Sequence, residues 1–224
     1  MENAVSEKSG YDFFLEEAVE KYFADLNMKL LSGRHIQQDD FNVFSLLEDY
    51  FPQLKNFYLQ IYGLDLAEAT GDRSVYFYLN FFDGGRGRLS DPSRSRILTE
   101  LQTIVGLSLL DMYYLRYFDH PKMISWADIR KEIEEGDHKL DYQRILFPEI
   151  RSTYSEGEWR VVKKSFINTI KSFDELGWVK KLSSQQEELA FELLPAIHRI
   201  AELYANELEN FQAFSEKYKR RSEE

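Results

Sequence analysis

The stretch Trp159-Arg160-Val161-Val162-Lys163-Lys164-Ser165-Phe166-Ile167-Asn168-Thr169-Ile170-Lys171-Ser172-Phe173-Asp174-Glu175-Leu176-Gly177-Trp178-Val179-Lys180-Lys181-Leu182 decides the fold. Val162, Phe166, Ile170, Phe173 and Leu176 recur at three and four, the spacing that gathers apolar side chains on one helix face. Gly177 ends that helix, because glycine takes up the left-handed backbone of a helix stop without steric cost. Trp178 to Leu182 then reads as a strand, the polar run Ser183 to Glu188 as a turn, and Leu189 to Leu194 as the returning strand.

Upstream of this stretch, Ile97, Leu98, Leu101, Ile104, Val105, Leu109, Met112 and Leu115 mark one long helix, and Ser125-Trp126-Ala127-Asp128 opens a short one. Downstream, Pro195 begins a final helix through Tyr218, with Ile197, Ile200, Ala201, Tyr204, Leu208 and Phe211 on one side. The same order stands earlier in the chain. Residues 12 to 31 form a helix on Phe13, Phe14, Ala18, Tyr22, Phe23, Leu26, Leu30 and Leu31, and Ser32-Gly33 stops it. Asp40 to Tyr50 makes a second helix, and Pro52 opens a third that ends at Gly63. Strands Leu64 to Ala69 and Val75 to Phe82 flank the turn Thr70-Gly71-Asp72. Three helices and a hairpin, twice over, predict a mainly α (α+β) chain of tandem winged-helix domains with two β-hairpin wings and a C-terminal helix. Asp83-Gly84-Gly85-Arg86-Gly87-Arg88 and Asp91-Pro92-Ser93 break the pattern between them. The expected division is a first domain over 1–82, a linker over 83–95 and a second domain over 96–224.

The 224 residues carry a net charge of -11, 43% hydrophobic side chains and no cysteine, a soluble globular composition without disulfides, thiol catalysis or zinc-thiolate sites. No apolar run approaches the roughly 20 residues of a membrane span, and the acidic, polar start is unlike a signal peptide, so a cytoplasmic protein is expected. His35, His120, His138 and His198 fall in four separate segments without metal-ligand spacing, and neither a metal nor a cofactor is expected. The glycine-rich run lacks the Lys-Ser or Lys-Thr of a phosphate-cradling loop. Acidic pairs such as Glu16-Glu17 and Glu134-Glu135 sit on polar helix faces, where solvation is the ordinary role. No catalytic residue emerges, and a non-enzymatic chain is expected.

Charge is distributed unevenly. Residues 1 to 72 hold five basic and fourteen acidic side chains, whereas 159 to 181 hold six basic and two acidic. Arg86, Arg88, Arg94 and Arg96 in the linker can reach a phosphate backbone, with a solvated loop as the competing reading. Arg160, Lys164 and Lys171 recur at four and seven away from the core stripe, with Lys163 alongside, on the helix that a helix-turn-helix lays on DNA. Ile167 and Asp174 interrupt that face, so a purely structural helix competes with DNA contact. An overall acidic protein binds phosphate poorly alone, and any nucleic-acid role is shared with a partner. In Tyr76-Phe77-Tyr78-Leu79-Asn80-Phe81-Phe82 both strand faces are apolar or aromatic, so Tyr76, Tyr78 and Phe82 are candidates for a dimer or partner interface. The stripe Tyr113-Tyr114-Leu115-Arg116-Tyr117-Phe118 shows the same excess, with an internal aromatic core as the alternative.

Four segments together resemble one family: Ser32-Gly33-Arg34-His35-Ile36, Tyr76-Phe77-Tyr78-Leu79, Arg96 to Leu115, and Leu176-Gly177-Trp178-Val179. The chain resembles MukE-like condensin subunits, especially the shorter MksE relatives, over most of residues 12 to 205. The resemblance implies a homodimeric, nucleoid-associated tandem winged-helix protein gripped by a kleisin subunit of the MksF or MukF type. Through that kleisin it would join an SMC ATPase of the MksB or MukB type and DNA, in chromosome condensation and segregation or plasmid restriction. The chain departs from MukE in its short basic end, Lys217 to Arg221, and in Asp174-Glu175 where a basic pair would precede Leu-Gly. A free-standing winged-helix transcription regulator is the rival reading, and it calls for more basic recognition helices.

Overall fold

Alternation along the first hairpin and periodicity along the helices before it build the first of two units. The computed structural model describes residues 11–80, 98–182 and 189–205. The chain divides into units at residues 1–97 and 98–224, and the predicted linker lies outside the described residues.

In the first unit a 3-10 turn, Asp12–Leu15, leads into helix α1, Glu17–Leu31, which buries Val19, Leu26, Leu30 and Leu31. Gly33, at φ 85, turns the chain into the two-residue strand β1, Ile36–Gln37. The two helices expected at 40–50 and 52–62 are joined as α2, Phe41–Tyr62, with a kink at Tyr50 (φ -123, ψ 22). Pro52 explains the kink, since its ring clashes with the carbonyl four residues back and it has no N–H to donate. Gly63, at φ 65, ends the helix. Strands β2, Asp65–Gly71, and β3, Ser74–Asn80, pair antiparallel from Asp65 opposite Asn80 to Gly71 opposite Ser74. Their turn is Asp72-Arg73, with both residues at positive φ, one position beyond the expected turn. The backbone twist of such a turn matches that of the flanking strands. The expected hairpin is in fact a three-stranded sheet, β1-β3-β2, because β1 sets Ile36 opposite Phe77. Leu26, Leu30, Ile36, Leu47, Leu54, Tyr58, Leu66 and Phe77 form the core.

The second unit repeats the order with additions. Helix α3, Glu100–Leu115, is followed by strand β4, Met123–Ser125, and helix α4, Trp126–Glu135. Helix α5, Lys139–Leu146, is not expected from the sequence; helix α6, Glu156–Leu176, is the one expected from the apolar stripe Val162 to Leu176. Strands β5, Val179–Lys181, and β6, Ala190–Leu193, form the wing, with the expected turn Ser183 to Glu188 outside the described residues. The sheet order β4-β6-β5 reproduces β1-β3-β2, so each late hairpin takes its third strand from just after the unit's first helix. The expected final helix opens as a 3-10 turn, Pro195–His198, and continues as α7, Arg199–Leu203; residues 206–224 lie outside the described part. Gly106 on α3 permits close packing, for a Cβ there would fall 2.6 Å from Ile200 Cδ1 and 3.3 Å from Phe173 Cζ. The chain is mainly α with two small antiparallel sheets, in winged-helix-like order.

Candidate functional site

Helix α6 is held from both ends and from beneath. At its start the Ser155 hydroxyl accepts from the Glu158 N–H at 3.3 Å, and the Glu158 carboxylate accepts from the Ser155 N–H at 2.9 Å. The Ser155 N–H and, at 2.8 Å, the Ser155 hydroxyl donate to the Glu158 carboxylate and, with Arg151 beside them, hold it below the usual carboxylate range. Arg130 on α4 reaches Glu156 at 3.2 Å and lies 4.7 Å from the Trp159 ring centroid. Trp159, Val162, Phe166, Thr169, Ile170, Phe173 and Leu176 are buried. At the far end Gly177, at φ 73, lets the Trp178 N–H donate to the Phe173 carbonyl at 2.9 Å.

That packing leaves a defined outer face. Arg160, Lys164, Asn168, Lys171 and Glu175 are all exposed, at spacings of four, four, three and four along one side. Ile167 and Asp174, which interrupt the face when the sequence is read alone, are only half-exposed and flank the stripe. Lys163 is also half-buried, its ammonium 6.0 Å from the Trp126 ring centroid, so it borders the stripe. Asp174 accepts from the Lys181 N–H at 3.0 Å, which ties β5 to the last turn of α6. The exposed Lys180 and Lys181 thereby stand beside the helix end carrying Lys171. Sequence reasoning left these two out of the candidate set, although the doubled lysine after Val179 was the available signal. They also suit an edge strand, where lysine discourages pairing with another chain. This surface can make several phosphate contacts but offers no base-reading pattern of its own.

The other candidates are placed differently. Arg86, Arg88, Arg94, Arg96 and Phe82 lie outside the described residues. Tyr76 and Tyr78 are not an open face awaiting another subunit: Tyr76 is 0% and Tyr78 8% exposed within this chain. β3 is the middle strand of its sheet, and His35 stacks on Tyr78 with ring centroids 5.2 Å apart and lies 6.0 Å from Tyr76. Phe77 and Leu79 face the core. The second aromatic stripe behaves otherwise, since Tyr113 is buried but Tyr114, Leu115, Tyr117 and Phe118 are exposed.

Among the described residues no group of three or more His, Asp or Glu is placed to hold a metal ion, and no helix is long and apolar enough to cross a membrane. No curated protein matches the chain significantly. The family model of the condensin complex protein MksE matches residues 21–205, which include most of both described units, and the chain therefore belongs to the MksE family of condensin complex proteins.

Proposed function

We propose that this condensin subunit is a non-catalytic adaptor: it binds the kleisin, joins the SMC ATPase through it, and adds sequence-tolerant phosphate contacts when the assembly engages DNA. The observation that carries the reading is the cationic stripe Arg160, Lys164 and Lys171, extended by Lys180 and Lys181, on a protein of net charge -11. Local cations on an acidic body favour contact with DNA already held by a partner over solitary binding, because affinity for phosphate grows with the number of counterions released. Arg86, Arg88, Arg94 and Arg96 belong to the same reading as further phosphate contacts. Homodimerisation belongs to it too, and the exposed Phe41, Leu59 and Ile61 of the first unit are apolar surface available for it. The setting is the cytoplasm and its nucleoid, in chromosome organisation and segregation or in plasmid restriction.

The test is affinity capture of the tagged chain from its native cells with identification of the retained proteins by mass spectrometry. Recovery of an SMC ATPase and a kleisin is the expected result. Recovery of RNA polymerase without either would replace the adaptor reading with that of a transcription regulator.

A further inference from the structure

The stripe Tyr113 to Phe118 is left unused by the DNA reading. Leu115 is 72% and Phe118 89% exposed, an unusual degree for side chains of that size. They are not on a loose end. The ammonium of Lys122, a residue only 3% exposed, donates to the carbonyls of Arg116 at 2.9 Å, Tyr117 at 3.0 Å and Asp119 at 3.4 Å. Arg116 in turn donates to the Met123 carbonyl at 2.7 Å and the Asp128 carboxylate at 2.5 Å. The loop after α3 is thus clamped from within, and Phe118 stands edge-to-face with Tyr117 at 5.1 Å between centroids. A rigid apolar ridge loses little entropy when it is covered.

Beside the ridge, between α3 and α4, lies a cleft of about 320 Å³ lined by Met112 and Leu115 and by three carboxylates, Asp128, Glu132 and Glu135, against the two cations Arg116 and Lys131. Burial, then repulsion from Asp111 and Asp137, pushes the Glu132 carboxyl above the usual range. Whatever covers this surface should therefore offer apolar side chains together with cations. One segment of the chain itself has that make-up: Phe211, Phe214 and Tyr218 recur at three and four, with Lys217, Lys219, Arg220 and Arg221 around the last. Neither the wings nor the DNA reading uses it.

We propose that the ridge of Leu115, Tyr117 and Phe118 and the acidic cleft beside it form a docking surface for residues 211–221 of the same chain. The aromatic side chains cover the ridge, and the four cations face Asp119, Glu132 and Glu135. Reach allows it. α7 packs on α3, a helix about 24 Å long at 1.5 Å per residue, and the twelve steps from Ala205 to Lys217 span up to roughly 40 Å. Docking within the chain is favoured over the same contact between copies, because a tether of this length holds the segment at an effective concentration on the order of millimolar.

The absence of cysteine makes the test direct. In the full chain, Lys131→Cys at the cleft and Ser222→Cys beyond the basic run supply the only two thiols for a short bismaleimide, and the linked peptides are read by mass spectrometry. The expected result is a link within one chain at low protein concentration that is lost when Phe118→Asp is added, a change at a side chain too exposed to unfold the unit. An equal yield with and without Phe118→Asp, a link only between chains, or no link would each overturn the proposal.

Discussion

The last helical segment before the wing occupies the same place in the topology of each unit, yet the two present opposite surfaces. In the first unit it is the second half of α2, whose outward residues include Leu59 and Ile61, 47% and 48% exposed. Its one lysine, Lys55, is paired with Asp65 at 3.2 Å. In the second unit it is α6, whose outward stripe begins Arg160, Lys164, Asn168, Lys171. Both end on a left-handed glycine and hand the chain to a wing strand. Topology therefore sets where this face stands, and the solvent-facing residues decide whether it is apolar or cationic.

The comparison is sharpest where packing holds α6 in position. Phe173 is 0% exposed, and Phe173→Ala should cost about 3–5 kcal/mol. Trp126, Trp159 and Trp178 all lie in the second unit, so tryptophan fluorescence during urea unfolding reports the loss there. Leu54→Ala, on the matching segment of α2, should leave that transition in place. A shared shift would show that the two units unfold as one body and would break the comparison.

A smaller loss is expected at Lys122. Lys122→Met removes the ammonium from the carbonyls of Tyr117 and Asp119 and leaves the Arg116 carbonyl only the Asp119 N–H, and it should cost about 2–3 kcal/mol. Limited proteolysis should then cut the loop after α3, and an uncut, equally stable variant would contradict the clamp.

Helix starts differ between the units as well. Thr99, Ser125 and Ser155 form reciprocal caps in the second unit, whereas α1 and α2 begin with no side-chain cap hydrogen bond. Ser125→Ala should cost about 1 kcal/mol, against less than about 0.5 kcal/mol for Glu16→Ala at the start of α1. The Ser125 loss should depend on pH. Burial alone would raise the Asp128 carboxyl, but hydrogen bonds from Ser125 and Arg116 outweigh it and hold the group below the usual range. Its contribution is present above the ordinary carboxylate range and disappears as pH falls through the lowered value. Denaturation of Ser125→Ala across a pH series should show a flatter acid limb than wild type.

The smallest effect has the opposite sign. With its carboxyl raised by burial and by its acidic neighbours, Glu132 favours the folded state while protonated, and that contribution is lost as pH rises through the raised value. With Lys217, Lys219, Arg220 and Arg221 all changed to Gln, so that the docking proposed above brings it no cation, Glu132→Gln should stabilise the protein at neutral pH by no more than about 0.5 kcal/mol. Destabilisation in that background would mean that the carboxylate has another cationic partner in the folded chain.

Most of this organisation was legible in the sequence for physical reasons that also mark its limits. α6, Gly63, Gly177 and both wings announce themselves, because long apolar periodicity and helix-ending glycines are local signals. Strands β1 and β4, two and three residues long, exist through pairing with distant strands and leave no periodic trace. Helix α5 buries only Tyr142 and Gln143, too few positions to stand out as a stripe. For the candidate site, the four-and-seven spacing shows that Arg160, Lys164 and Lys171 share one helix face, whereas the place of Lys180 and Lys181 beside the helix depends on the bond from the returning strand to Asp174. From the sequence alone Tyr76 and Tyr78 read as an interface face, because nothing local shows that β3 is a middle strand with His35 over it.

The measurement that bears most directly on the central claim compares DNA binding by the reconstituted assembly across a salt series, with wild type, Lys164→Glu plus Lys171→Glu on α6, and Lys55→Glu on α2. Each phosphate contact contributes about 0.9 to the slope of log affinity against log salt, so the α6 pair should weaken binding and flatten the slope by about 2 while kleisin association is retained. Lys55→Glu should leave both unchanged. Wild-type affinity and slope in the α6 variant would contradict the account and leave the cationic stripe as solvated surface.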